Sequence, residues 1–115
     1  VINQFAVTVR KEAGYAVLYT DGYINNMGGE KIGETAMALI AEGYKQIVIN
    51  MEKSTVINSI GISILIEVIE KIQEIEGSLV FCGLTKTIAK TFTIMGLAQF
   101  AQIAEDEAAA IAQLS

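Results

Sequence analysis

Apolar positions in this chain change their spacing several times, and each change marks an element. Phe5, Val7 and Val9 alternate with Ala6, Thr8 and Arg10, the two-residue period of a strand. Residues 15–20 are β-branched and aromatic, with Gly14 before them and Asp21-Gly22 after. Two strands joined across residues 11–14 predict a hairpin. Asn25-Asn26 then offers a helix N-cap. Ile32, Ala36, Leu39, Ile40 and Gly43 recur at helical spacing, with Gly43 placed to end the helix in a left-handed turn.

Ile47-Val48-Ile49 and the run at 79–82 are short and continuously apolar, as in strands covered on both faces. Residues 59–76 between them carry the helical period over about five turns, giving a strand–helix–strand unit. A third helix is predicted at 85–95, capped by Thr85 and closed by Gly96. Gln102-Ile103 reads as a last short strand. Residues 105–114 read as a closing helix whose apolar side is Ala108, Ile111, Ala112 and Leu114. The expected fold is α/β: one domain over 1–115, with a mixed sheet of four to five strands backed by about four helices.

The helix at 59–76 changes character along its length. Ile62, Leu65, Ile66, Ile69 and Ile72 share one face, while Glu67, Glu70 and Glu74 lie on the other. Ile60 and Ile64 fall off the core face, one turn apart and beside Ser63. Asn58 is placed to cap this helix, which puts Ser59 in its first turn, among free backbone N–H groups and at the positive end of the dipole. A phosphate on the Ser59 hydroxyl would be tolerated there, as anions are at helix N-termini. Exposed isoleucines next to that hydroxyl predict a docking surface made of Asn58, Ser59, Ile60, Gly61, Ser63 and Ile64. Ser54 and Thr55 are further hydroxyls nearby, of the kind that serve turns.

Composition narrows the chemistry. The 115 residues include 8 Lys+Arg against 13 Asp+Glu, a net charge of −5, which disfavours phosphate backbones and anionic membranes. No run approaches the ~20 apolar residues of a membrane span. Histidine is absent, which removes the commonest general base and metal ligand together. The one cysteine, Cys82, lies within an apolar strand and reads as a small buried hydrophobe, so neither a disulfide nor a thiolate cluster can form within the chain. Gly28-Gly29 is no phosphate-binding loop, because no Gly-x4-Gly-Lys-Ser/Thr string occurs. No catalytic residue, metal site or cofactor is expected. The chain opens at Val1, as a trimmed or excised domain would, and lacks the basic-then-apolar pattern of a secretion signal, so a cytoplasmic location is expected.

The run Ile57-Asn58-Ser59-Ile60-Gly61-Ile62, following the strand end Asn50-Met51, resembles the signature of STAS domains as found in anti-sigma factor antagonists. That signature is hydrophobic-Asp-Ser-x-Gly-hydrophobic after an aspartate-hydrophobic strand end, so Asn58 and Asn50 stand where the pattern has Asp. The stretch at 15–22, the run Phe92-Thr93-Ile94-Met95-Gly96-Leu97 and the closing segment extend the resemblance over nearly the whole chain. The resemblance implies that Ser59 matches the family's phosphoacceptor. It also implies a partner, an anti-sigma factor that is commonly also a serine protein kinase. The unmodified protein would bind it, the kinase would end the interaction by phosphorylating Ser59, and a phosphatase would reset the switch. Some STAS domains work without phosphorylation, and the alternative expectation is a scaffold or ligand-sensing module of a larger assembly or transporter.

Overall fold

The computed structural model describes residues 5–114; residues 1–4 and 115 of the expected domain lie outside the described residues. Strands β1 (Ala6–Glu12) and β2 (Tyr15–Asp21) form the hairpin. Glu12 pairs with Tyr15, so the turn is only Ala13-Gly14, and Gly14 takes a φ of +88° that suits glycine. Helix α1 (Asn26–Ala41), strand β3 (Gln46–Lys53), helix α2 (Ser59–Glu74), strand β4 (Ser78–Cys82), helix α3 (Lys86–Ile94), strand β5 (Gln102–Ala104) and helix α4 (Glu107–Gln113) follow in that order. The sheet runs β1-β2-β3-β4-β5 in sequence order. Only the β1–β2 pair is antiparallel, so the mixed sheet is parallel from β2 to β5.

Alternation along each strand builds two apolar layers. Ala16, Leu18, Ile47, Ile49, Leu79 and Phe81 face α1, α2 and α3, where they meet Ile32, Leu39, Leu65, Ile69, Ile88 and Phe92. Phe81 and Phe92 meet edge to face with centroids 5.1 Å apart. Val17, Val48, Val80 and Cys82 point the other way, under Ala110 of α4. Ile47-Val48-Ile49 is therefore covered on both faces, as its continuous apolarity required. Burial pushes the Cys82 thiol up to about 12, with nearby Glu107 and Asp106 adding to the effect.

Helix boundaries follow their caps. Gly43 (φ +102°) and Gly96 (φ +81°) both end helices in the left-handed region, as the sequence indicated. Thr85 caps α3 through the Ile88 amide at 3.1 Å. A short 3₁₀ turn, Leu97–Gln99, which periodicity did not reveal, links α3 to β5. The last helix starts later than expected. Asp106 caps it by accepting the Ala109 amide at 2.9 Å, which leaves Glu105 outside. Its packed side is Ala109, Ala110, Ile111 and Leu114, while Ala108 and Ala112, expected on that side, are exposed. Among the described residues no helix is long and apolar enough to cross a membrane.

Candidate functional site at two paired helix N-termini

The connections after β2 and β3 both lead into helices on the same face of the sheet. They are tied together along their length. Gly22 N–H donates to Lys53 O at 3.0 Å, Ile24 N–H to Val56 O at 2.9 Å, and Asn58 N–H to Ile24 O at 3.0 Å. Ile24 and Ile57 form an isolated parallel bridge. Beneath the connections, the Thr20 and Ser54 hydroxyls share a hydrogen bond of 2.8 Å with both residues buried. Ser54 is thus a structural hydroxyl, whereas Thr55 is exposed.

Each helix opens with the same local chemistry. Asn25-Asn26-Met27-Gly28 starts α1, and Asn58-Ser59-Ile60-Gly61 starts α2. Asn25 Oδ1 accepts the Gly28 amide at 3.0 Å, and Asn58 Oδ1 accepts the Gly61 amide at 2.8 Å. Each cap thereby satisfies one orphan donor of its first turn. The α2 cap also reaches α1, because Asn58 Nδ2 donates to Oδ1 of Asn26, the first residue of that helix, at 3.1 Å. Glycine at the third helical position follows from crowding. A Cβ on Gly61 would lie 2.7 Å from the Ile24 carbonyl oxygen, and one on Gly28 3.0 Å from that of Tyr23.

Ser59 is the first residue of α2 and is exposed. The cap bond belongs to Asn58, so the Ser59 hydroxyl has no part in starting the helix. Ser63 is also exposed, but its Oγ donates to Ile60 O at 2.7 Å. Ile60 is 45% exposed, whereas Ile64 is largely covered and faces α1. Cβ atoms on Gly29 and Gly33 of α1 would come within 2.9 and 3.1 Å of the Ile64 side chain. The expectation of two exposed isoleucines is corrected here. Ile64 sits in a notch made by those glycines, which let α1 and α2 approach closely.

Periodicity missed other apolar residues beside Ser59. Tyr23, Met27 and Val56 are exposed, Met27 by 69%. They lie on the same two connections and on the first turn of α1. The repeated pattern Asn-polar-apolar-Gly was the available signal, since it puts Met27 and Ile60 at equivalent second positions of adjacent helices.

Asn50 is not brought to this site. It lies on the opposite face, where its Nδ2 donates to Glu107 Oε1 at 3.3 Å and its Oδ1 accepts the Glu52 amide at 2.9 Å. Arg10 also meets Glu107 there, at 2.8 Å, and donates to the Tyr19 hydroxyl at 3.1 Å. A cleft of about 670 Å³ opens beside them, lined among others by Thr8, Tyr19, Asn50 and Lys53, and Ser59 does not reach it.

The decisive comparison is with family models: residues 6–110 match the STAS domain. The chain belongs to the STAS domain family. A relative from Bordetella bronchiseptica, BtrV, named as a candidate anti-sigma factor antagonist, is 24% identical over 106 residues, covering 92% of this chain and 91% of its own. An anti-sigma factor antagonist from Mycobacterium paratuberculosis has a similar crystal structure, with a TM-score of 0.86 at 17% identity over 96% of this chain and 94% of that one. The Bacillus cell fate determinant SpoIIAA, solved in its phosphorylated form, gives a TM-score of 0.73 at 20% identity, covering 96% of this STAS domain and 98% of its own chain.

Proposed function

We propose that this STAS domain is an anti-sigma factor antagonist, a cytoplasmic binding module without catalytic activity of its own. In this reading its unmodified form binds an anti-sigma factor that is also a serine protein kinase, and phosphorylation of Ser59 breaks the complex. The observation that carries the reading is the exposed Ser59 hydroxyl at the first position of a helix already capped by Asn58. The family membership, the description of the Bordetella relative and the phosphorylated SpoIIAA structure support it.

The partner surface in this reading comprises Asn58, Ser59, Ile60, Gly61 and Ser63, with Ile64 contributing from beneath, extended by Tyr23, Met27 and Val56. Phosphorylation adds roughly −1.5 to −2 charge amid these apolar side chains. Free N–H groups of the first turn tolerate the phosphate in the isolated protein. A partner lying over Ile60 would instead have to desolvate it. A loss of ~3 kcal/mol weakens binding by more than about 100-fold. The fold need not change, so the switch acts on surface chemistry.

The test pairs the protein with an anti-sigma factor serine kinase from the same genome, plus ATP, and maps phosphate by mass spectrometry. Modification at Ser59, weakened binding by Ser59→Asp and retained binding by Ser59→Ala are expected. An active kinase that leaves Ser59 unmodified, or equal binding by both variants, overturns the switch.

A further inference from the structure

A second exposed apolar surface lies away from Ser59. Ile94, Met95 and Phe100 are 73%, 50% and 60% exposed, at the end of α3 and just beyond the 3₁₀ turn. Between them and the C-terminal half of α2 runs a groove of about 200 Å³, lined by Ile66, Ile69, Glu70, Met95, Leu97 and Phe100. Ile66 and Glu70 follow Ser59 by roughly 10 and 17 Å along the helix axis.

The two walls differ in charge. Residues 91–104 contain no charged side chain. The α2 wall carries Glu67, Glu70 and Glu74 along one exposed margin, at helical spacings that align them. Lys71 pairs with Glu74 at 3.3 Å, while no ion pair among the described residues involves Glu67 or Glu70. The walls are α2 on one side and the end of α3 with the 3₁₀ turn on the other, and no strand borders the groove, so it offers no strand edge to an extended peptide. An occupant must satisfy its own backbone hydrogen bonds, which a helix does.

We propose that this groove docks a basic amphipathic helix of a partner protein. One large apolar side chain of that helix would fill the space between Ile66 and Phe100 as the anchor, and Lys or Arg on its flank would meet Glu67 and Glu70. The site is separate from Ser59 and does not depend on the switch proposed above.

The probe is a synthetic helical peptide of leucine and lysine at amphipathic spacing, with a leucine–glutamate peptide of the same spacing as its control. Both are titrated into the 15N-labelled chain at low salt. The expected shifts fall on amides of residues 66–73 and 94–100, for the lysine peptide alone. Met95→Ser/Phe100→Ser and Glu67→Lys/Glu70→Lys each weaken binding by about tenfold or more, and Ser59→Asp leaves it unchanged. These substitutions alter exposed side chains only, and the variants' own spectra confirm folding. Shifts spread over the whole acidic surface, equal affinity for folded variants, or comparable binding of the glutamate peptide overturn the proposal. So does self-association of the chain that Met95→Ser/Phe100→Ser abolishes, because the occupant would then be a second copy.

Discussion

Thr20 Oγ1 and Ser54 Oγ lie 2.8 Å apart, and both residues are shut off from solvent. This contact fixes the end of β2 to the start of the connection that delivers Ser59 to the surface. Thr20→Val preserves shape but strands a buried hydroxyl on Ser54. Leaving such a group unsatisfied costs about 1–3 kcal/mol, whereas removing both partners is close to neutral. Urea unfolding should therefore show Thr20→Val well below the parent, and Thr20→Val/Ser54→Ala less destabilised than the single variant. A double variant that loses the sum of both single losses would mean that the two hydroxyls act independently.

Asn58 performs two tasks with one side chain, capping α2 through Gly61 and bridging to Asn26 on α1. Asn58→Ala removes both and should cost about 1 kcal/mol, in line with other lost N-caps. Asn58→Asp keeps the cap and places a negative charge at the positive end of the helix, worth about 0.3–1 kcal/mol. It gives up the donor to Asn26, so its stability should remain within about 1 kcal/mol of the parent. Equal midpoints for the parent and Asn58→Ala in urea would show that the cap contributes nothing here.

Legibility in the sequence followed the physics of each feature. Strands and helices declared themselves because burial on a sheet or helix face imposes a period, and the caps at Asn25, Asn58 and Thr85 because few residues can satisfy first-turn amides. The 3₁₀ turn and the late start of α4 did not, since three residues carry no period and Asp106 competes with its acidic neighbours for the cap. Ile64 was misjudged for a different reason. Its position on a helical wheel pointed outward, but glycines in another helix open a notch for it, and such a notch depends on residues about 30 positions away that no local pattern contains. The same long-range pairing hid Tyr23, which is brought to the connection that carries Val56 and Ser59 only because the two connections bond to each other.

Gly61 tests how closely those connections are packed. An alanine inside a helix normally stabilises it relative to glycine by about 1 kcal/mol. Here the added Cβ would meet the Ile24 carbonyl oxygen at 2.7 Å, and backbone cannot swing aside as a side chain can. Gly61→Ala should therefore lose about 1–3 kcal/mol through overpacking, despite its better propensity. It should also displace the first turn of α2 and, under the proposed switch, slow phosphate transfer to Ser59. Gly43→Ala is the control. Nothing lies within 4 Å of its Cβ, but φ is +102°, so it should cost about 1 kcal/mol without affecting Ser59. Unfolding midpoints together with phosphorylation rates separate the two. A Gly61→Ala protein more stable than the parent would contradict the close approach.

Glu107 joins α4 to the sheet and makes that contact sensitive to acid. Partial burial works against its ionised form, but the polar groups of Tyr19, Asn50 and Arg10 outweigh it and hold the carboxyl below its ordinary range. A carboxyl depressed in the folded state contributes stability above its unfolded value of about 4.3 and loses it as pH falls through the folded value. Glu107→Gln abolishes that titration. The gap in stability between parent and Glu107→Gln should therefore be widest near neutrality and close progressively below about pH 4. Denaturation of both proteins at a series of pH values provides the measurement. A gap that stayed constant into the acid range would show that the Glu107 charge adds nothing to the docking of α4, leaving packing of Ala110 on Val48 and Val80 to hold the helix.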